Sequence, residues 1–158
     1  MYREHTNRSS ERGGTLIEFT VVATGFFTML LAICAGSNLY FAHNALVEST
    51  RRGARFAATQ AASSPAGTIT TGTNVGPSLT AIRNYTIHGN AEGTATSVLS
   101  LQPENVTVEY SQFGVGTGSV SVSITNYRYY FVIPGLNTEI VMPAYRSTQA
   151  GESAGTSP

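Results

Sequence analysis

Glu18 is an acidic side chain at the mouth of an apolar run of membrane-spanning length. Two glycines precede it in Arg12-Gly13-Gly14-Thr15-Leu16-Ile17-Glu18-Phe19. An ionised carboxylate costs on the order of 2.5 to 3.5 kcal/mol at mid-bilayer and less near the interface. Such a group needs compensation, so either it faces headgroups or it has a partner. Further along, His43, His88, many serines and six glutamates from Glu48 to Glu152 carry polar chemistry. None of them falls in a nucleophile-elbow, zinc or paired-carboxylate pattern, and solvated surface positions are the ordinary reading of both histidines. Tyr127-Arg128-Tyr129-Tyr130 sets aromatics beside an arginine, a combination that stacks on bases or sugars. Alternating aromatics also serve simply to supply one core face of a strand. Cys34 is the only cysteine and lies inside the apolar run, which excludes an intrachain disulfide or a cysteine metal cluster and leaves it as small apolar filler.

The element that positions Glu18 is a long helix. Phe19 to Phe41 contains no charged residue and spans roughly 34 Å as helix, against a bilayer core of about 30 Å. Arg3, Arg8 and Arg12 on its N-terminal side, against only His43 just after it, predict a cytoplasmic N-terminus and an exported C-terminal part. The run is longer than a secretory signal's apolar region, although Ala35-Gly36-Ser37-Asn38 supplies small residues at its end. A plain, unprocessed signal anchor has the same composition. No proline occurs from Thr15 to Ala62, so the helix is expected to continue to Ala62, roughly 72 Å in all, before Ser63-Ser64-Pro65 stops it. Its outer half carries Leu39, Leu46, Gly53 and Ala57 at helical spacing, flanked by Tyr40, Val47, Ala54 and Ala58. Glu48, Arg52 and Arg55 lie opposite. Glu48 and Arg52 have the favourable order for an ion pair one turn apart. Phe56 falls outside the stripe, as a subunit contact or a contact to the protein's own sheet.

Past Pro65, Ala66 to Gly76 reads as a loop, and Leu79, Ile82, Arg83, Thr86 and Ile87 fit a short helix ending at Gly89. The remainder alternates as β. Val106, Val108 and Tyr110 make one strand, ended by the glycine-rich Gly114 to Gly118. Val120, Val122 and Ile124 make the next, after which the apolar phase shifts to Tyr127, Tyr129 and Phe131. A one-residue phase change flips the buried face and predicts a bulge or strong twist near Asn126. Pro134-Gly135 forms a turn, Glu139 to Tyr145 a third strand with Pro143 marking an edge, and residues 147–158 a disordered tail. Three or four antiparallel strands leave one apolar face open, and the outer half of the helix is the available cover. The expected fold is therefore α+β, a long helix packed on a small antiparallel sheet. The expected segments are 1–13, helix 14–62 spanning at about 19–41, a loop with a short helix over 63–103, a β domain over 104–146, and the tail.

The charges bound the function further. All nine basic residues are arginine, all nine acidic ones glutamate, and the formal net charge is zero. Nothing in that balance draws the chain to nucleic acid, and neither an enzymatic activity, a cofactor, a metal nor a small-molecule substrate is expected.

Gly13-Gly14-Thr15-Leu16-Ile17-Glu18 resembles the leader motif of type IV pilins. With Gly14 opening the mature chain, Glu18-Phe19, and Ala54-Arg55-Phe56-Ala57-Ala58 later, it is more similar to the TadE-like pseudopilins of tight-adherence (Flp) pilus systems. The likeness is good over about the first 60 residues, extends to the strands and the Pro134-Gly135-Leu136 turn only by pattern, and does not cover residues 63–103. It implies that residues 1–13 are a cytoplasmic leader, cut between Gly13 and Gly14 by a membrane prepilin peptidase that needs close access to the backbone. It implies too that Glu18, with Phe19 beside it, pairs with the new α-amino group of a neighbouring subunit and sets the axial register. Phe19 where Flp-type motifs often carry tyrosine points to a minor subunit. The implied partners are the prepilin peptidase, other pilin subunits through the N-terminal helix, the pilus assembly platform and membrane lipid. The implied location is a bacterial inner membrane, with entry into an extracellular pilus as a further step. An adhesin or DNA-uptake subunit binding through Tyr127, Arg128 and Tyr130 is the alternative.

Overall fold

The computed structural model describes residues 8–60, 70–113, 118–131 and 138–150. One helix dominates. Helix α1 runs from Arg8 to Thr59, 52 residues and about 78 Å, without interruption. It ends three residues before the expected Ala62, and Pro65 lies outside the described residues. Its apolar first part is unpacked: Leu16, Ile17, Phe19, Phe26, Met29 and Phe41 are all exposed. Burial begins only at Ala42, where Leu46, Ala54 and Ala57 turn inward together with Ser49 and Thr50.

That second part of α1 is covered by helix α2 (Leu79–His88) and by two strands of a four-stranded antiparallel sheet, Ser119–Ile124 and Tyr145–Ala150, in which the chain's first, second, third and sixth strands lie side by side in that order. Helix α2 forms where Leu79, Ile82 and Thr86-Ile87 recur at helical spacing. It stops at Gly89, whose left-handed backbone (φ +80°) lets its amide donate to the Tyr85 carbonyl at 3.0 Å. The sheet consists of β1 (Thr70–Thr73), β2 (Val106–Phe113), β3 (Ser119–Ile124) and β6 (Tyr145–Ala150). Val106, Val108, Tyr110, Val120, Val122 and Ile124 form its buried face. The α+β architecture expected from the sequence is thus present.

Three segments differ from the sequence expectation. The Gly/Thr-rich stretch contains β1, which pairs with β2 through an irregularity between Thr70 and Gly72. The β-branched threonines there find a partner strand that local composition does not reveal. The expected third strand, Glu139 to Tyr145, divides in two: β5 (Glu139–Val141) pairs with β4 (Arg128–Tyr130) in a separate ribbon, and β6 joins the main sheet. Pro143 lies in the break, where no ladder amide is needed. Strand β6 also takes in Ser147 to Ala150, part of the expected tail, because register against β3 supplies backbone bonds that a run of small polar residues does not advertise. Near Asn126, where a bulge was expected, the chain leaves the sheet with a left-handed residue (φ +55°), a conformation asparagine tolerates well. The Pro134-Gly135 turn and residues 151–158 lie outside the described residues, as does most of the expected Gly114 to Gly118 turn.

Candidate functional site

The base of α1 is built from very little. Among the described residues, a Cβ added at Gly13 or Gly14 would meet nothing within 4 Å beyond its chain neighbours and the helix's own backbone. Two helical glycines in succession cost about 1 kcal/mol each relative to alanine, which weakens the helix at this point. Gly14 and Glu18 stand four residues apart and share one face. Glu18 and Phe19 are exposed, and Glu18 has no ion pair among the described residues. The hydroxyls beyond it are internally satisfied. Thr20, Thr24 and Thr28 donate to the carbonyls of Leu16, Thr20 and Thr24 at 2.7 to 2.8 Å, and Ser37 donates to Ile33 at 2.9 Å. Each polar side chain is thereby made tolerable to an apolar solvent. Glu18 lies roughly 34 Å from Phe41 along the axis, so the two mark opposite faces of a bilayer-thick slab.

At the other end of that slab Tyr40 and Phe41 are exposed, 68% and 66%, as expected of an aromatic belt. His43, read from the sequence as a solvated histidine, is instead half-buried. Its Nδ1 shares a 2.9 Å hydrogen bond with the Tyr145 hydroxyl, and the two rings meet edge to face at 5.2 Å. Burial pushes the Tyr145 phenol up from its ordinary value. This contact fastens the start of β6 to α1 just where α1 would emerge from a membrane.

Farther out, α1 and α2 approach closely. A Cβ on Gly53 would stand 2.1 Å from the Thr86 Oγ1, so only glycine fits there. Arg52, expected to pair with Glu48, reaches across to α2 and donates to the Thr86 carbonyl at 3.2 Å. The last carbonyls of a helix are unpaired and partly negative, which explains the preference. Phe56 stacks on Tyr85 of α2, with ring centroids 4.1 Å apart and planes 7° apart. Within the chain its stacking partner is therefore α2, and the ring remains partly exposed.

The tyrosine cluster separates into two sides. Tyr127 and Tyr129 pack against the core; the Tyr127 hydroxyl donates to the Leu99 carbonyl at 2.9 Å, and burial, then the neighbouring Tyr129, push its phenol up. Arg128 and Tyr130 face outward, and Arg128 is paired with Glu139 at 2.6 Å. The exposed part of the cluster is thus one tyrosine and one neutralised arginine, a weak footprint for nucleic acid. Among the described residues, no three histidine, cysteine or acidic side chains gather in a way that could hold a metal. Neither the His43 to Tyr145 contact nor the Gly53 to Thr86 contact was legible in sequence, because each joins positions far apart in the chain.

Residues 13–55 match the model of a family described as TadE-like protein. No curated protein and no solved structure matches the chain significantly. The match bears out the resemblance read from the leader region and is consistent with a TadE-like pilin of tight-adherence systems. It covers the unpacked part of α1, Glu18 included, and runs into the part that packs on the sheet and α2.

Proposed function

We propose, from this TadE-like helix, that the protein is a non-enzymatic minor pilin or pseudopilin which a prepilin peptidase processes and which acts in assembling a tight-adherence pilus or a related secretion machine. The observation that carries the reading is an unbroken helix with a bare apolar half and, at its base, Glu18, a carboxylate with no ion pair among the described residues. A single-pass anchor with no further task gains nothing from a charge in that position. Cleavage between Gly13 and Gly14, on the cytoplasmic side set by the arginines, creates an amine on the same helix face as Glu18. Laid side by side, two such helices bring the amine of one to the carboxylate of the other. Each charge alone is costly between apolar helices, and the pair much less so, which fixes the axial register between subunits. Phe19 packs beside that pair, and the assembly platform then receives subunits already in register.

The test is mass spectrometry of membrane-extracted protein from cells with an active prepilin peptidase. The expected mass starts at Gly14; retention of residues 1–13 overturns the reading. Glu18→Gln is expected to be processed normally yet to fail in assembly. Normal incorporation of Glu18→Gln subunits would remove the pairing role and leave an anchor.

A further inference from the structure

The pairing of β3 with β6 does not end with the sheet. Ser119 faces Ala150 at one end and Ile124 faces Tyr145 at the other. Farther along both strands the Met142 amide donates to the Tyr127 carbonyl at 2.8 Å. Then Arg128, Tyr129 and Tyr130 face Val141, Ile140 and Glu139, and the Phe131 amide donates to Thr138 at 3.0 Å. No residue is gained or lost in the register, so β4 and β5 are the far end of one hairpin that runs out of the sheet. It leaves at a defined end. Tyr145 is held by His43, which lies only about 3 Å along α1 beyond Phe41, the last residue of the apolar run. From Tyr145 back to Val141 there is at most about 14 Å of chain.

Facing residues of an antiparallel pair share a side of the ribbon. One side therefore carries Arg128 with Val141 and Tyr130 with Glu139. Tyr130 is 63% exposed and Val141 59%, and Ile140 is exposed at the margin of the other side. Arg128 and Glu139 cancel as an ion pair, so this ribbon offers tyrosine and aliphatic surface with no net charge. Neutralised charges cost less to desolvate, and amphipathic rings favour the headgroup layer.

We infer that the β4–β5 ribbon is a second membrane contact, seated in the headgroup layer of the leaflet from which α1 emerges, with bilayer lipid as its ligand. Continuity with the membrane-spanning part of α1 favours lipid over a second copy of the chain. The contact orients the exported domain on the membrane surface and rests only on α1 spanning a bilayer, whatever the protein assembles.

The chain has no tryptophan, so single reporters are free of background. Tyr130→Trp, Tyr40→Trp and Ser111→Trp are prepared in the full chain, reconstituted into vesicles of phosphatidylcholine and phosphatidylglycerol, and exposed to lipid brominated near the glycerol backbone. Ser111 is an exposed residue at the opposite end of the sheet, near Ser119 and Ala150. The expected result is loss of emission at Tyr130→Trp approaching that at Tyr40→Trp, and none at Ser111→Trp. Quenching at Tyr40→Trp without quenching at Tyr130→Trp overturns the inference and leaves the span intact. Absence of quenching at Tyr40→Trp removes the span and the inference with it. A blue shift at Tyr130→Trp that ignores brominated lipid and grows with protein-to-lipid ratio assigns the face to a second copy, and also overturns it. Val141→Trp, on the same side of the ribbon, serves as the reporter if Tyr130→Trp alters the thermal melt.

Discussion

Replacing Gly53 with alanine tests whether the α1–α2 crossing is what holds the sheet domain on its helix. The added Cβ would meet the Thr86 Oγ1 at 2.1 Å, its Cβ at 3.1 Å and its Cγ2 at 3.2 Å. Rotating Thr86 relieves only part of this, and its hydroxyl is also bonded to the Ile82 carbonyl at 2.8 Å. Helix α2 must therefore move, loosening the buried Ile82 and Ile87. Overpacking of this kind costs about 1 to 3 kcal/mol, while alanine returns about 0.5 to 1 kcal/mol of helix propensity. A net loss of about 1 to 2 kcal/mol is expected. In a Thr86→Ala background the Oγ1 and Cγ2 are gone, so the same Gly53→Ala change should become nearly neutral. The coupling between the two sites is then about 1 to 2 kcal/mol. Urea unfolding of the full chain in detergent micelles, followed by the near-ultraviolet signal of the stacked Phe56 and Tyr85, measures all four corners of the cycle. The reasoning is refuted if Gly53→Ala is as stable as the parent, or if Thr86→Ala leaves its cost unchanged.

Alkaline pH is expected to destabilise the domain packed on the outer half of α1. Tyr110 and Tyr145, by burial, and Tyr127, by burial and then Tyr129, all have phenols raised above the ordinary 10.0 in the folded state. Their contribution is complete below pH 10 and is lost as pH rises through the folded values, because the unfolded chain releases those protons first. Thermal melts should be flat through neutrality and fall above pH 10, and Tyr110→Phe should blunt the fall; a melt insensitive to pH there contradicts the assignment. At Asn126, whose carbonyl also accepts from the Asn105 side chain at 3.3 Å, glycine should be tolerated. Asn126→Val should cost about 1 to 2 kcal/mol, because a β-branched residue resists a left-handed backbone. Equal melting temperatures for the two variants would show that the exit from β3 does not depend on that conformation.

The local chemistry of α1 is a property of its own stretch of chain. A charge-free run from Phe19 to Phe41, no proline to Ala62 and small residues at helical spacing determine a membrane-length helix with a packed outer half, since each signal acts within a few turns. The Gly13-Gly14 to Glu18 spacing is likewise visible without coordinates, and so is the phase change at Asn126. What tertiary structure decided is which distant positions meet. Gly53 has the sequence look of one more small residue in a stripe, and only the crossing with Thr86 makes it irreplaceable. His43 looks solvated until Tyr145, 102 residues later, closes on it. Tyr127 and Arg128 are neighbours in the chain, yet opposite sides of the strand send one to the core and the other to Glu139. Strand β1 and the end of β6 are polar, small-residue segments whose stability comes from a partner's backbone, which no local pattern encodes. The physical division is one of range. Hydropathy and backbone preference are written residue by residue, whereas register, burial of a polar group and close approach of two helices exist only once both partners are in place.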